Sequence, residues 1–169
     1  FKPEVEKKGM QLLSTTPLPE AEANIQTDRE KLFAILSNLV KNAIKYSDTG
    51  TIELGYIKKK TKFRFYVKDT GIGIPKERQT AIFDRFIQAD INDTRALQGA
   101  GLGLSISKAY VEMLGGEMGL KSEPGKGSKF YFTIPILSEI KKQTHQTDSA
   151  NDEKIDIENK KLKILIAED

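Results

Sequence analysis

The 169 residues carry 27 Lys or Arg against 24 Asp or Glu, a net charge of +3, with 38% hydrophobic residues and no cysteine. That mix fits one globular domain with a real core plus a polar remainder. It excludes disulfides and thiolate metal sites, and no apolar run approaches the roughly 20 residues of a membrane span. The basic residues are scattered. Their densest cluster, Lys58-Lys59-Lys60-Thr61-Lys62, has no interleaved aromatics and reads as a solvated hairpin turn, so no nucleic-acid partner is expected. With no signal peptide visible, the chain is expected to be a cytoplasmic piece of something longer, any membrane segment of the parent lying outside it.

Residues 1 to 137 read as one domain. Its clearest helix covers about 28–46, with Thr27 and Glu30 at capping-box spacing and Leu32, Leu36, Leu39, Val40 and Ala43 as the apolar stripe. Residues 51–57 alternate, with Ile52, Leu54 and Tyr56 on one face. Phe63, Phe65 and Val67 alternate likewise after the lysine turn, so the two runs predict a hairpin. Pro75 is expected to open a short helix ending near Phe86. Residues 87–98 carry no strong pattern. A helix over 102–114, closed by Gly115-Gly116, precedes a last hairpin of 117–122 with 128–134 around Pro124-Gly125-Lys126-Gly127. The mixture of helices and hairpins predicts an α/β two-layer sandwich, a mixed sheet covered by helices on one face. Residues 138–161 read as a polar linker. Residues 162–169 turn abruptly apolar and end in Glu168-Asp169, a parallel-type buried strand opening something further.

Asp69 shares strand parity with Phe63, Phe65 and Val67, so it points to the core side at a strand end, where a buried carboxylate needs a donor. The exocyclic amino group of adenine is one, whereas guanine presents an oxygen there. Gly71 and Gly73 let the chain bend close to a flat base. The competing reading is a simple turn. Asn38, Asn42 and Lys45 share one helix face by spacing. An amide oxygen ligates Mg²⁺ without adding charge beside a polyphosphate, and a lysine one turn on neutralises that phosphate; a solvated polar face is the alternative. Gly99, Gly101 and Gly103 open a helix whose free N–H groups favour phosphate. Their spacing departs from the dinucleotide fingerprint and is not a P-loop. His145, the one histidine, lies in the polar linker and reads as inert. One His and no Cys leave no zinc site or Cys–His dyad.

Taken in order, Asn38-Leu-Val-Lys-Asn42-Ala-Ile-Lys45-Tyr46, Asp69-Thr-Gly71-Ile-Gly73, Ile82-Phe83-Asp-Arg85-Phe86, Gly99-Ala-Gly101-Leu-Gly103-Leu and Gly125-Lys-Gly127-Ser resemble the asparagine box, the glycine boxes and the phenylalanine box of sensor histidine kinases. The resemblance covers about residues 10–136 and implies the Bergerat ATP-binding fold. By that resemblance Asp69 binds the adenine amino group, Asn42 ligates Mg²⁺, Lys45 meets phosphate and Tyr46 packs near the base. Asn38, Asn42 and Lys45 form the catalytic set. Gly71, Gly73, Gly99, Gly101, Leu102 and Gly103 shape the pocket and its lid, with 87–98 similar to the mobile lid. The terminal 162–169 is similar to the first strand of a response-regulator receiver domain. The implied function is donation of the γ-phosphoryl group of Mg²⁺-ATP to a histidine on a separate dimerisation domain, with a receiver domain as further partner. A nucleotide-binding regulatory module and an ATP-hydrolysing relative are the alternatives.

Several features depart from the family. The phenylalanine box continues Phe86-Ile87-Gln88 where many relatives have an aromatic and an arginine, leaving Arg85 and Arg95 as candidates for phosphate charge. No His-Glu or His-Asp acceptor helix and no receiver acceptor aspartate is present. Asn38 stands where water-splitting relatives of the fold carry a general-base glutamate, which fits a kinase whose acceptor imidazole is already a nucleophile.

Overall fold

The computed structural model describes residues 1–19, 23–87 and 101–136. In chain order these form α1 (Lys2–Lys7), β1 (Gln11–Thr15), α2 (Arg29–Lys45), β2 (Thr51–Lys58), β3 (Lys62–Asp69), two single-turn 3₁₀ helices (Lys76–Arg78 and Ala81–Phe83), α3 (Gly103–Met113), β4 (Met118–Glu123) and β5 (Gly127–Pro135). The sheet order is β1-β2-β3-β5-β4. Among the described strands only the β1–β2 pair is parallel. It is the mixed sheet that the pattern of hairpins and helices predicts.

Alternation decides which face is buried. Ile52 and Tyr56 of β2, Phe63, Phe65 and Val67 of β3, and Phe130, Phe132 and Ile134 of β5 all lie inward, with Phe65 stacked on Phe132 at 5.2 Å between ring centroids. Leu32, Ile35, Leu39, Val40, Ala43 and Ile44 of α2 and Val111 of α3 cover them. On the opposite face Tyr66 donates its hydroxyl to Glu53 at 2.7 Å and carries the Lys129 ammonium 3.9 Å above its ring. This leaves the core between the helices and one side of the sheet.

Several boundaries differ from expectation. The α2 N-cap is Asp28, one residue after Thr27: its carboxylate accepts from the Lys31 N–H at 3.0 Å and pairs with the Lys31 ammonium. A carboxylate answers both the free amides and the positive end of the helix, which a threonine hydroxyl does only in part. The helix expected after Pro75 is two 3₁₀ turns broken at Gln79-Thr80. The elements before residue 20 have no counterpart in the periodicity. α1 is six residues long with Val5 as its one buried residue, and β1 buries little of its own surface.

Candidate functional site

β3 ends on Asp69, which the strand parity turns inward to 5% exposure. Its Oδ1 accepts from the Gly71 N–H at 2.9 Å and from the Ser128 N–H at 3.2 Å. Among the described residues no hydrogen bond reaches Oδ2. Burial pushes the carboxyl above the ordinary aspartate range, and the two backbone N–H groups pull partly the other way. The result is a carboxylate anchored through one oxygen. Ser128 lies 59 residues away and was not legible as part of the site. The signal was the neighbouring Gly127, whose φ of +93° puts its Cα where a Cβ would lie 2.1 Å from the Asp69 carbonyl oxygen.

The turn after Asp69 is moored on both sides. Ile72 donates to the Tyr46 carbonyl at the end of α2 (3.1 Å), and the Ile72 carbonyl accepts from Gly125 in the β4–β5 turn (2.8 Å). A Cβ at Gly71 would lie 2.2 Å from the Tyr46 oxygen; one at Gly73, where φ is +71°, would lie 2.1 Å from the Glu123 oxygen. Gln79 adds a clamp, its Nε2 donating to the carbonyls of Ile74 and Ser122, both at 2.9 Å. The backbone is thus rigidly presented beside the Asp69 carboxylate.

On α2 the expected face divides into two roles. Asn38 donates Nδ2 to Ser107 of α3 at 2.9 Å, and a Cβ on Gly103 would sit 2.3 Å from its Oδ1. Its amide therefore ties α2 to the start of α3, and Gly103 leaves room for that contact. Asn42, one turn on, is partly buried, and its amide has no hydrogen-bond partner among the described residues. Lys45 places its ammonium 5.1 Å over the Tyr46 ring. Ser107, 2% exposed, is a further residue that helical spacing alone did not single out.

α3 begins at Gly103 with Leu102 as N-cap and no side-chain cap, so its first amides stay available to an anion. Phe86 (φ +64°) donates its N–H to the carbonyl of Gly101 (φ +65°) at 3.2 Å, which brings the two ends of the stretch 87–100 together. Arg85 is exposed beside this junction. Arg95, Gly99, Gln88, His145, residues 88–98 of the expected lid, the 138–161 linker and the 162–169 strand lie outside the described residues. Among the described residues no three His, Cys, Asp or Glu side chains come together as a metal cage, and no helix is long and apolar enough to cross a membrane.

The comparisons with known proteins agree with this geometry. Residues 27–138 match the family described as "Histidine kinase-, DNA gyrase B-, and HSP90-like ATPase". The autoinducer 2 sensor kinase/phosphatase LuxQ of Vibrio vulnificus is 36% identical over 178 residues, covering 100% of this chain and 20% of its own length. Full-length ShkA, solved in complex with AMPPNP, is similar at a TM-score of 0.68 and 32% identity, over 79% of this chain and 27% of that one. The nucleotide-free catalytic domain of the histidine kinase ThkA is similar at a TM-score of 0.69 and 28% identity, over 80% of this chain and 86% of that one. The chain thus spans about a fifth of the length of its curated relative LuxQ. A matched domain, a shared fold and the ordered asparagine and glycine motifs converge: this chain belongs to the histidine kinase-, DNA gyrase B- and HSP90-like ATPase family, as a catalytic domain of the sensor histidine kinase type.

Proposed function

We propose that this domain binds Mg²⁺-ATP and donates its γ-phosphoryl group to a histidine on a separate dimerisation domain. The observation that carries the reading is the Asp69 carboxylate, buried, held through one oxygen by two backbone N–H groups, and set beside the Gly71–Gly73 turn. Such a carboxylate accepts from the adenine amino group and rejects the guanine oxygen. The AMPPNP bound by similar ShkA supports an adenine nucleotide as ligand.

Asn42 is the residue suited to the metal, because its amide has no competing partner among the described residues and a neutral oxygen suits Mg²⁺ that already carries phosphate oxygens and water. The uncapped start of α3, the Lys45 ammonium and Arg85 supply charge for the polyphosphate. In the transfer the bond from the γ-phosphorus to the bridging oxygen breaks, ADP leaves, and a phosphorus–nitrogen bond forms to the acceptor imidazole, which gives up its ring proton. Catalysis is then positioning and charge stabilisation. Asn38 serves that positioning through Ser107. An amide at that place takes no proton from water, so slow hydrolysis accompanies transfer. Residues 138–161 lead as a linker to a receiver-like domain that opens at 162–169, the second partner of the relay.

Calorimetric titration with ATP and GTP in Mg²⁺, followed by incubation with labelled ATP and the parent's histidine-bearing domain, tests the reading. Tighter binding of ATP and acid-labile label on the added domain are expected. Label on neither chain with nucleotide bound would favour a regulatory binding module, and steady phosphate release would favour a hydrolase. Asn42→Ala is expected to flatten the Mg²⁺ dependence of ATP affinity and to abolish transfer. Full transfer by this variant at ordinary Mg²⁺ would remove Asn42 from the metal.

A further inference from the structure

We propose that Lys8 is a positioning residue for nucleotide binding: its ammonium group pins one carbonyl in the last turn of α2 and one just past it, and so sets the rim on which the Gly71-Ile72 turn is seated. The inference deepens the ATP-binding reading and rests on it.

α2 ends without the usual left-handed glycine. Its C-cap is Tyr46, at φ −100° and ψ 10°. The carbonyls of a last turn need donors from elsewhere. Lys8 Nζ supplies one, donating to the Ile44 oxygen at 2.6 Å, and also donates to the Ser47 oxygen just past the helix at 3.1 Å. The Tyr46 oxygen, between these two in sequence, is taken by the Ile72 N–H. The same short stretch therefore joins α1 on one side to the Asp69 turn on the other. A cation at a helix C-terminus is also the favourable charge for the helix dipole.

Both partners of this contact are fixed. Val5 is fully buried and Met10 is 3% exposed, so the chain on either side of Lys8 is anchored in the core. Met10 donates back to the Val5 oxygen at 3.1 Å, and Gln11 donates to the Gly50 oxygen at 3.0 Å, leading into β1. Ser47, whose carbonyl Lys8 holds, is 1% exposed, and its hydroxyl has no hydrogen-bond partner among the described residues. That hydroxyl lies where a Cβ on Gly71 would meet it at 2.7 Å. Ser47 therefore lies close against Gly71, whose N–H is one of the two donors to Asp69 Oδ1, and the Tyr46–Ile72 bond couples the two segments. The path runs from residues 1–10, through one ammonium group and one helix end, to the carboxylate that reads the base. Lys8 is an exposed residue, so removing its charge leaves the core intact.

Lys8→Met keeps the stem and removes the donors; Lys8→Arg restores them. The affinity of each for AMPPNP is measured by calorimetry, and the hydrogen exchange of the Ile72 amide is measured beside that of central β3 amides. Loss of two such bonds is expected to weaken AMPPNP binding about three- to tenfold in Lys8→Met. The Ile72 amide should exchange faster while β3 keeps its protection, and Lys8→Arg should recover most of both. Wild-type affinity together with wild-type Ile72 exchange in Lys8→Met would overturn the proposal. If β3 protection also falls in Lys8→Met, Lys8→Ala, which likewise has no donor, is read instead, and wild-type values there overturn it equally. A wild-type protein that binds no AMPPNP would sink the ATP reading alone, because the exchange arm still reports whether Lys8 holds the turn.

Discussion

Asp69→Asn is expected to weaken ATP binding by about a hundredfold or more while leaving the nucleotide-free domain at least as stable at neutral pH. The asparagine oxygen can still accept from Gly71 and Ser128, which now bond Oδ1. The amide nitrogen then stands in place of Oδ2 and faces the adenine amino group, donor against donor. A hydrogen bond to a charged group contributes about 1.5–3 kcal/mol, and replacing it with a repulsive pair carries the loss toward the upper end of that range and beyond. Stability moves the other way. Burial raises the folded-state pKa of Asp69 above the ordinary aspartate value. The ionised carboxylate is therefore disfavoured by folding: its contribution is best below the unfolded pKa and is lost as pH rises through the raised folded value. Asparagine carries no such penalty. Melting temperatures at pH 7 should place Asp69→Asn level with or above the wild type, with the difference shrinking as pH falls toward the unfolded aspartate range. Unchanged calorimetric ATP affinity in this variant would remove Asp69 from base recognition.

Gly127→Ala should be strongly destabilising for a change of one methyl group. At φ +93° a Cβ there would lie 2.1 Å from the Asp69 carbonyl oxygen and 2.8 Å from the Thr70 Cα, and both are backbone atoms with nowhere to go. Left-handed strain in a non-glycine residue costs about 1–3 kcal/mol and forced overpacking a further 1–3 kcal/mol or so. Together they take a large part of the roughly 5–15 kcal/mol that keeps a domain folded. The melting temperature should fall by roughly 10 °C, and nucleotide binding should go with it, because displacing β5 pulls the Ser128 N–H from Asp69. Gly125→Ala is the control: its φ is +76°, but a Cβ there meets nothing within 4 Å. It should pay the conformational strain alone and keep the site. Equal effects from the two substitutions would mean that the close approach at Gly127 is not what β5 depends on.

Much of this architecture was legible in the residues because it rests on period. The stripe from Leu32 to Ala43 marks α2, and the alternation through Phe63, Phe65 and Val67 sends Asp69 inward, as its burial bears out. What period could not reach were contacts between distant segments and elements too short to show one. β1 has five residues and takes its identity from pairing Gln11–Thr15 with Thr51–Gly55. Ser128 joins the site because β5 lies beside β3 in the sheet, and Ser107 because α3 crosses Asn38; neither side chain differs in sequence from an ordinary surface serine. Thr27 and Asp28 are both good caps, and only the geometry of the chain's approach to the helix decides between them.

The same distance that hid Ser128 governs how the domain comes into being. The Asp69–Ser128 bond spans 59 residues and the Asn38–Ser107 bond 69. Non-local closure of this kind is slow relative to helix and hairpin formation. During synthesis α2 and the β2–β3 hairpin emerge long before β5, so β3 has one edge unpaired and Phe63, Phe65 and Val67 lack half their cover. An unpaired apolar strand is a template for another chain. A product broken off before Gly127 would keep the asparagines and the first glycine turn yet lose one of the donors that hold Asp69, and it would be prone to aggregate rather than bind.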